Sequence, residues 1–173
     1  GIQDFNRFLS SYAYHKRWVY EQTLHLSYIE KQELINALLI NHKPENRAYR
    51  YDFFFDNCSS RVRDIIVNTL GPVFGDKNSA IHKPTDKSFI DLIHQYIKKS
   101  PWLDFGMDII LGIPSSNKAS EYEYMFLPDH LMEQIAKADG LVKKEQYLID
   151  FPERHKKDST LHLFTPFSLF TLL

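Results

Sequence analysis

Chemistry in this chain concentrates in six consecutive residues, Asp56-Asn57-Cys58-Ser59-Ser60-Arg61. Cys58 is the one cysteine among 173 residues, so no disulfide can form within the chain. Its thiol is available as a nucleophile. Asp56 and Asn57 are both strong helix N-caps, and apolar residues follow at helical spacing. A helix is therefore predicted to begin here, with Cys58 in its first turn. Unpaired amide N–H groups and the helix dipole favour a thiolate at that place. Arg61 lies one turn further on and adds positive charge. Asp56, Asn57, Ser59 and Arg61 are the supporting candidates around Cys58.

A thiol nucleophile needs a base. His25 is the internal candidate, on the polar side of a predicted strand beside Glu21 and Thr23. His15, His42, His82, His94 and His130 read as surface or capping histidines. A structural role for the thiol competes with the catalytic one. Cys58, Val62, Ile65, Ile66 and Leu70 share one face of the predicted helix, and free cysteine is among the most buried residue types.

The elements that must position these residues follow from periodicity. Phe5, Phe8, Leu9 and Tyr12 predict a helix over residues 4–17. Residues 18–26 alternate, with Trp18, Tyr20, Leu24 and Leu26 on one face, and read as a half-buried strand. Ser27 and Glu30 form a capping-box pattern before a helix to about residue 42, expected to bury Ile35, Leu38 and Leu39. Residues 49–55 alternate aromatic with charged side chains and are expected to be extended. The helix from residue 57 should stop at Gly71-Pro72. Residues 71–87 read as a loop, 88–99 as an amphipathic helix, 102–111 as a short helix and 114–119 as a polar loop. Pro128 suits the first position of a helix over 129–138, and residues 141–151 read as a strand. The fold class expected is α+β, mostly helical with a few strands.

Composition narrows the function classes. Hydrophobic residues make up 43% and aromatic residues 14%, which excludes a disordered chain. Lysine and arginine number 21 against 22 acidic residues, a balance that gives no electrostatic reason for a nucleic-acid partner. Neither paired cysteines nor a His-x-x-x-His pair is present, so no metal and no cofactor is expected. Glu121, Glu123, Asp129 and Glu133 read as solvated acidic positions. Residues 1–158 read as a single domain. Residues 159–173 form an apolar C-terminal segment, too short to span a bilayer and expected to be membrane-proximal in the intact protein.

The string over residues 46–64, Asn-Arg-Ala-Tyr-Arg-Tyr-Asp-Phe-Phe-Phe-Asp-Asn-Cys-Ser-Ser-Arg-Val-Arg-Asp, resembles a bacterial envelope family. That family is named after the N-terminal periplasmic domain of the lipoprotein N-acyltransferase Lnb. Val19-Tyr20-Glu21-Gln22-Thr23-Leu24-His25-Leu26 and Met125-Phe126-Leu127-Pro128-Asp129 are similar to it as well. The resemblance implies a periplasmic or membrane-anchored protein whose fold is related to permuted papain-like thiol enzymes. It implies Cys58 as nucleophile, Asp56 and Asn57 shaping its loop, Arg61 supporting charge, and lipid or lipoprotein acyl groups as substrate. A Phe-Gly-His segment usual in that family has no match here, which makes the chain resemble the later part of a larger domain. The function expected is thiol acyl transfer or hydrolysis at the envelope. The alternative is a noncatalytic binding module in which Cys58 is core.

Overall fold

The computed structural model describes residues 2–97 and 100–151. Residues 159–173 lie outside the described residues. In chain order the elements are α1 (Phe5–Tyr14), β1 (Val19–Leu24), α2 (Tyr28–His42), α3 (Pro44–Arg47), α4 (Cys58–Leu70), β2 (Pro84–Ser88), α5 (Phe89–Ile97), α6 (Pro101–Leu111), β3 (Lys118–Ser120), α7 (Glu121–Tyr124), α8 (Pro128–Lys137) and β4 (Val142–Ile149). The fold is α+β and mostly helical, as the periodicity predicts. The described residues fall into two compact units, 2–76 with 125–151 and 77–97 with 100–124.

In the first unit, β1 and β4 pair antiparallel, from Val19 opposite Ile149 to Leu24 opposite Val142. Irregularities after Val19 and Thr23 interrupt the simple alternation expected of β1. Helix α2 opens with the predicted capping box. The Ser27 amide donates to Glu30 Oε2 at 2.7 Å, and Ser27 Oγ accepts from the Glu30 amide at 3.3 Å. The core comprises Phe54, Ile66, Phe74, Met125, Phe126, Leu131, Ile135 and Leu141.

In the second unit, β2 pairs with β3, and the core comprises Phe89, Leu92, Ile93, Ala119 and Tyr124. Segments expected to be loops are partly regular here. A 3-10 turn at Ala80–His82 precedes β2, and another at Ile113–Ser116 precedes β3. Strands this short leave too little alternation to be read from sequence.

Three expectations change in the first unit. Ile35, Leu38 and Leu39 are not buried; each stays about half exposed. Residues 34, 35, 38, 39 and 40 of α2 are all apolar, more than one packing face can cover. Residues 49–55 are not a strand. Asp52 Oδ1 accepts from the amides of Phe54 and Phe55, both at 2.9 Å, and Asp52 and Asp56 exchange backbone bonds at 3.1 Å. This local aspartate turn outcompetes the extended pattern and leaves Phe54 as the buried member of its aromatic run. Finally, the face of α4 differs in part from the one expected: Ile66 is buried as expected, but Ser59, Ser60 and Arg63 are buried with it, while Cys58 and Val62 are exposed. Cys58 is therefore not a core residue.

Candidate functional site

The start of α4 is fixed by Asn57, which is 4% exposed. Its Oδ1 accepts from the amides of Ser59 at 2.8 Å and Ser60 at 2.9 Å. Its own amide donates to Ser60 Oγ at 2.8 Å, completing a reciprocal cap. Its Nδ2 donates outward from the helix, to the carbonyls of Phe53 at 2.8 Å and Phe126 at 2.9 Å. One side chain thus caps the helix and ties it to the aspartate turn and to the chain entering α8. Phe53 and Phe54 both pack edge-on against the Phe126 ring, so the tie lies within an aromatic cluster.

This cap decides which amides remain for a ligand. An α-helix starts with orphan N–H groups, and here Asn57 takes those of Ser59 and Ser60. Among the described residues, the N–H of Cys58 is the one amide of the first turn left uncommitted. It belongs to the same residue as the exposed thiol.

Arg61 does not direct its charge at the thiol. It forms a bidentate pair with Asp56, Nε to Oδ1 at 2.6 Å and Nη2 to Oδ2 at 3.0 Å. Its guanidinium carbon also lies 3.5 Å over the centre of the Tyr49 ring. The hydrogen bond from Arg61 holds the Asp56 carboxyl below its ordinary value, and partial desolvation opposes this. The sign of the linkage is set by that lowering. The pair stabilises the fold above the ordinary aspartate range and loses that contribution as pH falls through the lowered folded value. An NMR titration of Asp56 is expected to show the low value, and Arg61→Gln to return it towards normal. An unchanged titration in that variant would dismiss the pair as the cause.

Tyr51 is within electrostatic reach of Cys58. Partial desolvation of its hydroxyl pushes it above its ordinary value, and the charge on Cys58 adds to the rise, followed by Tyr49 and Asp52. The Tyr49 and Tyr51 ring centres are 6.3 Å apart, so the ring under Arg61 has a second aromatic neighbour.

His25 is not brought to this site. Its amide bonds the Leu141 carbonyl at 2.7 Å, and it lines a cleft with Glu30, Leu70 and Val73. That cleft is at the far end of α4, about 18 Å along the axis from Cys58 at 1.5 Å per residue. The opposite end of α2 meets the start of α4. There His42, Asn41, Tyr49 and Arg61 share a groove of about 630 Å³ with Ile35, Leu38 and Leu39. The two helices are antiparallel, so the histidine at the Cys58 end is His42. Its Nε2 lies 3.2 Å from Arg47 Nη2, a contact in which the imidazole nitrogen accepts.

The family model described as the Lnb N-terminal periplasmic domain matches residues 1–97. The chain belongs to that family. The matched stretch carries Cys58, its whole cap and the antiparallel α2–α4 pair. Phe126, the second carbonyl held by Asn57, lies beyond it. The family description places this Lnb-type domain in the periplasm, as the sequence resemblance implies. Among the described residues, no helix is long and apolar enough to cross a membrane. No curated protein and no solved structure matches the chain. The permuted papain-like relation implied by the resemblance is not confirmed.

Proposed function

We propose that this Lnb-type periplasmic domain is a thiol acyltransferase or hydrolase for lipoprotein or lipid acyl groups, with Cys58 as the nucleophile. The observation that carries the reading is the pairing of an exposed thiol with its own uncommitted amide at a firmly capped helix start. The thiolate attacks the carbonyl carbon of an acyl ester, and the carbonyl electron pair moves to oxygen. The Cys58 N–H stabilises that oxyanion. Collapse expels the alkoxide, which takes up a proton and leaves as the alcohol, and the acyl group stays on Cys58 as a thioester. Attack by an amine or by water then releases the acyl group and restores the thiol.

Proton transfer in such enzymes runs through a histidine within hydrogen-bond reach of the sulfur. Among the described residues none is hydrogen-bonded to Cys58, and His42 is engaged by Arg47. Because the Phe-Gly-His segment usual in the family has no match in these 173 residues, the chain by itself is expected to turn over acyl esters slowly or not at all, measured as acyl release against a no-protein control. The test of the reading uses the native gene product. Incubated with a diacylated lipopeptide, it should yield a hydroxylamine-labile acyl adduct on the Cys58 peptide by mass spectrometry. Turnover without any such adduct would reject the thioester route.

A further inference from the structure

Helix α2 carries a stripe that the packing leaves open. Ile35, Leu38, Leu39 and His42 recur at helical spacing, three apolar residues and then an imidazole. The three apolar side chains are about half exposed and form a wall of the groove of about 630 Å³. From Ile35 to His42 that wall is about 10 Å long at 1.5 Å per residue. A concave volume of this size, with an apolar wall and a few polar groups gathered at one end, has the form of a small-molecule site.

The polar end is built by the residues that follow the stripe. Arg47 turns back onto the last turn of α2. Its Nε donates to the His42 carbonyl at 2.6 Å, and its Nη2 donates to His42 Nε2 at 3.2 Å. An arginine N–H always donates, so the other nitrogen of the neutral ring carries the proton. Both partners of Arg47 are neutral, and among the described residues no carboxylate pairs with it. Arg61 lines the same groove, but its charge is already met by Asp56. No carboxylate lines the groove; Glu45 lines the adjoining hollow. The guanidinium of Arg47 is thus held in place with a free charge and unused donors. That combination selects a ligand. A neutral lipid would leave Arg47 without a counter-charge, and a small inorganic anion would leave the apolar wall in water. One alkyl chain carrying an anionic head with two or more oxygens satisfies both.

We propose that this groove binds a single-chain anionic amphiphile, its chain along Ile35, Leu38 and Leu39 and its head on Arg47. Cys58 does not line the groove, so the inference stands apart from the thiol chemistry. The test titrates the 173-residue chain by calorimetry with decyl phosphate and with decanoate, both kept monomeric. Each is expected to saturate one site, and the tighter of the two identifies the head as phosphate or carboxylate. Inorganic phosphate, decyl maltoside and decyltrimethylammonium should bind at least about tenfold more weakly. Arg47→Gln should weaken both anionic amphiphiles about tenfold and leave decyl maltoside unchanged, whereas Arg47→Lys should keep most of the affinity. Leu38→Asn should weaken the anionic amphiphiles and decyl maltoside alike. Both positions are exposed, so circular dichroism and Tm of the variants should match wild type. Decyltrimethylammonium binding as tightly as decyl phosphate would overturn the inference, as would unchanged affinity in Arg47→Gln. So would inorganic phosphate binding as tightly as decyl phosphate, or a dimer that Leu38→Asn abolishes while no amphiphile binds.

Discussion

Asn57→Ala is expected to destabilise the protein by about 2–4 kcal/mol, the sum of a lost cap and two carbonyls left without their donor. For a chain of this size that corresponds to a Tm lower by about 5–15 °C. The informative companion is Asn57→Asp. Aspartate caps a helix as well as asparagine does, so a residue acting only as a cap would tolerate the change. Asn57 does more, because its Nδ2 donates to the Phe53 and Phe126 carbonyls. A carboxylate would set negative oxygen against two carbonyl oxygens in a buried place. Asn57→Asp is thus expected to be at least as damaging as alanine, by urea or thermal unfolding. Recovery to wild-type stability in the aspartate variant would reduce Asn57 to a cap.

That second task of Asn57 could not be read from the sequence. Its acceptor on Phe126 is 69 residues away in the chain, and helix-start propensity speaks only of the next three residues. What propensity does govern came through. The cap, the placing of Cys58 in the first turn and the stop at Gly71 were each local matters, and Gly71 adopts φ 82° at the helix end. The buried face of α4 was not local. Apolar spacing points to Val62, yet Val62 is exposed and Ser59 and Ser60 lie inside, at the end of the helix that Asn57 ties down. The two serines accept burial because the cap takes up both amides and the Ser60 hydroxyl. The thiol at the same end of the helix lies at the surface.

The place of the histidines is not local either. His25 stands on the polar side of a strand, a property of nine residues. Which end of α4 it meets depends on the direction of α2, set by the connection over residues 43–57. Two consecutive helices joined by a short excursion tend to lie antiparallel, and that rule would have pointed to His42. Tyr51 was read as one member of an extended aromatic run. The Asp52 turn breaks that run, and Tyr51 comes within electrostatic reach of Cys58.

Cys58→Ala in the native gene product is expected to lower acyl transfer about 10⁴-fold or more, as loss of a covalent nucleophile does. Its thermal stability should stay within about 0.5 kcal/mol of wild type, because the side chain is exposed and makes no hydrogen bond that the cap needs. This separation of activity from stability distinguishes Cys58 from Asn57, whose variants lose activity only as they lose structure. Cys58→Ser keeps the size of the side chain, but a hydroxyl is a far weaker nucleophile than a thiolate, so it should fall nearly as far. Iodoacetamide should modify Cys58 of wild type and abolish transfer in step with that modification. The decisive comparison is initial rates on a diacylated lipopeptide for wild type, Cys58→Ala and Cys58→Ser, each with its unfolding curve. Unchanged rates in both variants would remove the thiol from the chemistry. A large drop in stability for Cys58→Ala would mean instead that the thiol is part of the packing, and the surface position on which the proposed mechanism depends would be wrong.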